Sequence, residues 1–177
     1  TQDYALSFDG LNDYVNTGVT NKPGEGSLIV LINPKISEND NMVIVDGTSA
    51  CQDFGFRVLN DKAWQHIKTT ECSAYYDLQS ESDLIENQIN FITYVWSSVG
   101  QKIYINGNLD AQHSYVGNSS SSRPIYIGQT SHSGDHFFHG TMERVMALTS
   151  SSAYLYRSDG DCSWRNNPYL RCRRIMP

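Results

Sequence analysis

Apolar and polar residues alternate with a period of two along most of the chain. Tyr4-Ala5-Leu6-Ser7-Phe8 alternates, breaks at Asp9-Gly10-Leu11-Asn12-Asp13, and resumes at Tyr14-Val15-Asn16-Thr17. Phe54-Gly55-Phe56-Arg57-Val58 alternates cleanly, and Ala63 to Lys68 does so weakly. Successive side chains of a strand point to opposite faces, so this period predicts half-buried strands. Ser27 to Ile32 and Met42 to Val45 are instead nearly continuous apolar runs, ended by Pro34 and by Asp46-Gly47. Ala74 to Leu78 is a further candidate strand, and Ile89 to Trp96 is the strongest run. Lys102 to Ile105 leads into Asn106-Gly107, a pair suited to the positive φ angles of a tight hairpin turn, and Asn108 to His113 returns from it. Pro124 to Gly128 and Phe137 to Leu148 close the regular part.

No window of 11 or more residues carries a helical stripe. Eleven to thirteen short strands between turn residues predict an all-β antiparallel sandwich or jelly roll. Asn118 to Ser122 and Thr149 to Ser152 read as loop tips. After Ser152 the period dissolves. The expected organisation is therefore one sandwich over residues 1–152 and an irregular appendage, residues 153–177, packed on the same domain.

The 177 residues fit one domain with a sizeable core. Apolar residues make up 39% and charged residues 18%, which excludes a charge-driven disordered chain. The longest apolar run has five residues, Leu28 to Ile32, far short of a membrane span. No basic stretch followed by an apolar one opens the sequence, so either no leader exists or a processed chain is expected. The net charge of −6 argues against binding nucleic acid through its phosphates. Charge is uneven, however: the last 21 residues carry +3, with five arginines, and the rest carries −9.

Four cysteines in a Ser- and Asn-rich chain point to an oxidising, extracellular location. Of three pairings, Cys51–Cys72 and Cys162–Cys172 close the shortest loops and are expected, the second stapling the appendage. A bridge between two chains through a C-terminal cysteine is the alternative. No Cys-x2-Cys pair suggests structural zinc. Asn118-Ser119-Ser120 is the one N-glycosylation sequon.

Three segments resemble a known family. Tyr4 to Val15 is similar to the first hairpin of laminin-G-like jelly rolls in the concanavalin-A-like superfamily. Phe91-Ile92-Thr93-Tyr94-Val95-Trp96, followed by Ile103-Tyr104-Ile105-Asn106-Gly107-Asn108-Leu109, resembles that family's long strand and hairpin. Ile125-Tyr126-Ile127-Gly128 and Phe138-His139-Gly140-Thr141-Met142-Glu143 resemble its penultimate loop and last strand. The matches keep the family's order over residues 4–148. The resemblance implies the fold, and members include sugar-binding modules, adhesion domains, calcium-dependent pentraxin-like binders and accessory domains of enzymes. Where the family's last strand usually has two acids, this chain has Glu143 followed by Arg144.

The loop Ser131 to His139 holds three of the five histidines beside an acid and two aromatics. Sugars are recognised by carboxylates or amides that accept from hydroxyls, by neutral donors, and by rings that cover C–H faces. His132, Asp135, His136 and His139 supply the polar part, and Trp64, with Gln65 and His66, is a candidate stacking platform. Asp9, Asn12 and Asp13 suit a self-bonded turn, with Asp9 and Asp13 as weak calcium ligands. Glu81-Ser82-Asp83-Leu84-Ile85-Glu86 matches the Glu-x-Asp-x-x-Glu of some retaining glycosidases, but reads as a charged loop. Trp96 reads as core, and Trp164 as packed on nearby arginines.

These features predict a secreted carbohydrate-binding lectin without catalysis, needing no cofactor unless calcium. Homodimerisation would multiply weak sugar affinities and permit hemagglutination. The alternatives are a protein-binding adhesion module, with the Arg-rich tail as contact, and a glycosidase using Glu81 and Glu86.

Overall fold

The computed structural model describes residues 5–37, 41–49, 54–68, 77–119, 121–131, 133–148, 153–156 and 170–172, the last two as strand backbone. Among the described residues, fourteen strands form two sheets. Sheet 1 takes β1 (Leu6–Asp9), β3 (Gly26–Pro34), β8 (Asn90–Ser97), β9 (Gly100–Ile105), β10 (Asn108–His113), β12 (His139–Leu148), β13 (Ala153–Tyr156) and β14 (Leu170–Cys172). Its order is β10-β9-β8-β3-β12-β13-β14, with β1 also on β12. Sheet 2 takes β2 (Val15–Asn16), β4 (Asn41–Asp46), β5 (Phe54–Leu59), β6 (Lys62–Ile67), β7 (Leu78–Asp83) and β11 (Tyr126–Ile127), in the order β2-β11-β4-β5-β6-β7. Among the described residues every pairing is antiparallel except β13 with β14. This is the expected all-β sandwich.

The core lies between the sheets, where period two places it. Phe54, Phe56 and Val58 of β5 face Tyr94 and Trp96 of β8, all nearly inaccessible. Phe54 meets Trp96 edge-on at 5.6 Å, and Phe56 lies 5.0 Å from Tyr94. Such pairs add roughly 0.5–1.5 kcal/mol beyond the area they bury. Trp96 is core, as expected, and its indole N–H donates to Pro23 O at 3.0 Å. Burial pushes the Tyr94 phenol above its ordinary pKa. Two inward glutamines tie the sheets together: Gln65 donates to Val95 O at 3.2 Å and Gln101 to Ile67 O at 3.1 Å. At the sheet edges, the Asp110 carboxylate accepts from the N–H groups of Glu81 (2.6 Å) and Ser82 (3.2 Å).

Two expectations are revised. The Glu81-Ser82-Asp83 segment, read as loop, belongs to β7, which begins at Leu78; residues 71–76 lie outside the described residues. The C-terminal stretch, read as irregular, supplies β13, which pairs on β12, and β14, which pairs on β13, so that both extend sheet 1. Cys51, Cys72 and Cys162 lie outside the described residues and Cys172 falls on β14, so the expected bridges do too.

Candidate functional site

The outer face of sheet 2 carries a cluster of charged and aromatic side chains. On β5 the core residues alternate with Gly55 and Arg57, which therefore point outward. Opposite them on β6 stand His66 and Trp64. The two rings stack with centroids 5.1 Å apart and planes 5° from parallel. The Arg57 guanidinium lies over the Trp64 ring, 5.9 Å from its centroid. Gly55 makes this packing feasible, because a Cβ there would overlap the His66 imidazole at Nε2. His66 is buried and Trp64 is half-buried, with exposed Gln79 of β7 directly opposite it.

Asp46 anchors the cluster. A bulge between Val43 and Val45 sends both Ile44 and Val45 inward and turns Asp46 to the outer face. Its carboxylate is inaccessible and lies 3.5 Å from Arg57 Nη2. It accepts from Thr48 N (3.0 Å), Thr48 Oγ1 (2.8 Å) and Ser131 N (2.9 Å). A buried carboxylate is tolerated only when paired and hydrogen-bonded in this way. Nearby, Lys22 Nζ donates to the carbonyls of Thr20, Ser121 and Arg123. Burial lowers its pKa, and the charge of Asp46 opposes that shift.

The loop from Gly128 to Phe138 runs along the edge of β4. Gly128 N donates to Ile44 O, and Val43 N donates to His136 O at 2.9 Å. Asp135 organises the loop: its Oδ1 accepts from Thr130 Oγ1 (2.5 Å) and Ser133 Oγ (2.7 Å). His136 Nε2 lies 3.8 Å from the same oxygen, and the two side chains are 40% and 52% exposed respectively. His136 adopts a φ of 52°, a left-handed conformation uncommon outside glycine. Hydrogen-bond and register partners make one row across the sheet: His136, Val43, Arg57, Trp64, Gln79. At the usual strand spacing His136 and Trp64 stand roughly 14 Å apart.

The remaining candidates fall elsewhere. His132 lies outside the described residues. His139 opens β12 and packs its side chain on Gly10, so it joins the first turn. In that turn Asp9 Oδ1 accepts from Leu11 N (2.8 Å), and Asp13 Oδ2 accepts from Asp9 N (3.0 Å). Among the described residues no three metal-ligating acids, histidines or cysteines cluster. Glu81 is exposed on β7, whereas Glu86 follows that strand and accepts from Ser37 Oγ at 2.6 Å. Trp164 lies outside the described residues. A small apolar recess opens between the sheets beside Leu28, Phe54 and Trp96. Asn21 is the one polar side chain among the described residues lining it, so it offers little to orient a sugar.

Residues 9–151 match the laminin G family model described as the concanavalin A-like lectin/glucanases superfamily. The chain belongs to this family. No curated protein sequence matches it. Among solved structures, it is similar to mouse laminin α1 chain domains LG4-5, with 14% identity and a TM-score of 0.64, over 81% of this chain and 40% of that one. A candidate carbohydrate binding protein from Bacteroides ovatus gives 20% identity and a TM-score of 0.61, over 81% and 42%. Domain 4 of AbnA, a GH43 extracellular arabinanase from Geobacillus stearothermophilus, solved with arabinotriose, gives 12% and 0.52, over 81% and 65%. At these identities the likeness is one of fold. The chain spans about two fifths of the first two structures. The family match and the sandwich together make this a laminin-G-like domain.

Proposed function

We propose that this laminin-G-like domain is a secreted, non-catalytic lectin whose glycan site is the outer face of sheet 2. One observation carries the reading: Trp64 and the Asp135–His136 pair, some 70 residues apart in sequence, stand toward the two ends of one backbone row of sheet 2, with buried Val43 and Arg57 between them. The row offers what a sugar chain needs. Trp64 supplies an indole held by Arg57 and His66, Gln79 supplies an amide, and Asp135 with His136 supplies an acceptor and a donor at the far end. A site fixed by its own packing loses little entropy on binding. The Bacteroides and arabinotriose-bound neighbours lend the reading further weight.

The reading takes no cofactor. Asp9 and Asp13 serve their own turn, which leaves calcium a poor fit there. It takes the protein as a homodimer, because two sites in one particle raise avidity without new contacts. A glycan array read with and without EDTA tests the proposal. The expected result is EDTA-resistant binding to a defined glycan, lost in Trp64→Ala and weakened in Asp135→Asn and His136→Ala. An empty array would sink it.

A further inference from the structure

Solvent-facing sheets normally carry polar residues on their outer side. Sheet 1 does not. Its outward positions include Ile29 and Leu31 on β3, Phe91 and Val95 on β8, Tyr104 on β9 and Met146 on β12. Phe91 is 38% exposed and Leu109, at the end of the same face, 49%. The cross-strand registers set these residues in rows. One runs Arg144, Leu31, Phe91; the next runs Met146, Ile29, Thr93, Tyr104, Leu109. Arg144 is exposed and forms no ion pair among the described residues.

We propose that this face docks on the same face of a second copy, about a two-fold axis lying along β3. The first row is what selects a second copy as the occupant. It has a cation at one end, an aromatic ring at the other, and Leu31 midway between them. A two-fold axis along β3 exchanges the positions of β12 and β8. It therefore sets Arg144 of each copy over Phe91 of the other, and Leu31 over Leu31. Both cation–π pairs form at once, as an isologous interface requires. In the next row Ile29 meets Ile29, and Met146 meets Thr93. This docking also leaves both outer faces of sheet 2 turned away from the interface.

The inference rests on the homodimer reading and is independent of the glycan reading. The test is light scattering on the full chain at tens of micromolar, with and without reductant. A particle of about 40 kDa, twice the 19.9 kDa chain, is expected in both conditions. Leu31→Arg, which puts two like charges on the axis, should return it to the monomer mass. Should that variant unfold, Arg144→Ala and Phe91→Ala carry the test. Each should loosen the dimer several-fold, and a double-mutant cycle should show their effects coupled although Leu31 separates them within one chain. A monomeric wild type would overturn both the homodimer reading and this surface. A dimer indifferent to all three substitutions, or one dissolved by reductant alone, would overturn the surface and leave the homodimer reading standing. Neither result touches the glycan reading, which the array decides.

Discussion

The two outer faces of this sandwich are built from the same alternation and do opposite things with it. On sheet 2 the outward residues of β4, β5 and β6 include Asp46, Arg57, Trp64 and His66, locked together over Gly55. On sheet 1 the outward residues of β3 and β8 include Ile29, Leu31, Phe91 and Val95, which meet each other and solvent. A face that holds buried charge gains fixed geometry at the cost of desolvation. A face that leaves apolar groups in water gains a reason to find a partner. The pairing of both faces with one shared core shows that period two decides what is buried between the sheets and leaves the outer faces open to different uses.

This contrast can be broken at its strongest point first. Asp46→Ala removes the inaccessible carboxylate, strands Arg57 and leaves the donors of Thr48 and Ser131 without their acceptor. The expected loss is about 3–5 kcal/mol in urea unfolding, the range for breaking one partner of a buried pair. Gly55→Ala should cost about 1–3 kcal/mol, because the new methyl displaces His66 from its stack on Trp64. Tryptophan emission should shift to longer wavelength as Trp64 loses its cover. On sheet 1, by contrast, Leu109→Ser should change unfolding stability by no more than about 0.5 kcal/mol, since it lies on the open face. A large loss there would mean that the face is already covered within the monomer.

Another small effect, this one dependent on pH, lies at the seam where β10 of sheet 1 meets β7 of sheet 2. Burial opposes ionisation of Asp110, but hydrogen bonds from Ser82 and Glu81, with Lys62 nearby, hold its pKa below the ordinary carboxylate value. A lowered carboxyl pKa stabilises the fold fully above the unfolded value of 3.8. That stabilisation drains away as the pH falls from there through the folded value. Asp110→Asn should therefore cost under about 1 kcal/mol at pH 7 and nothing in strong acid, measured by thermal melts across pH.

Much of this was readable in the chain. Phe54 to Val58, Ile89 to Trp96 and the Asn106-Gly107 hairpin all lie where alternation and turn chemistry put them, because their signals are local. The cluster on sheet 2 was only half readable. Trp64 stands out as a residue type, but Arg57 is just one position of the alternating run Phe54 to Val58, and Asp46 reads as part of the turn that ends its strand. What joins them is long-range register. The bulge at Val43–Val45 flips Asp46 outward, and nothing in the apolar run Met42 to Val45 announces it. β13 and β14 escape the sequence reading for a related reason: they are short, and each is recruited by the edge of the strand before it, β13 by β12 and β14 by β13.

The most direct test of the account is a calorimetric titration with one monovalent glycan selected from the array, comparing wild type, Trp64→Ala and Phe91→Ala. The account predicts that Trp64→Ala weakens binding at least about tenfold, a loss of about 1.4 kcal/mol, while Phe91→Ala leaves the monovalent Kd unchanged. Unchanged affinity in Trp64→Ala, with affinity lost in Phe91→Ala, would contradict it and place the sugar on the other face of the sandwich.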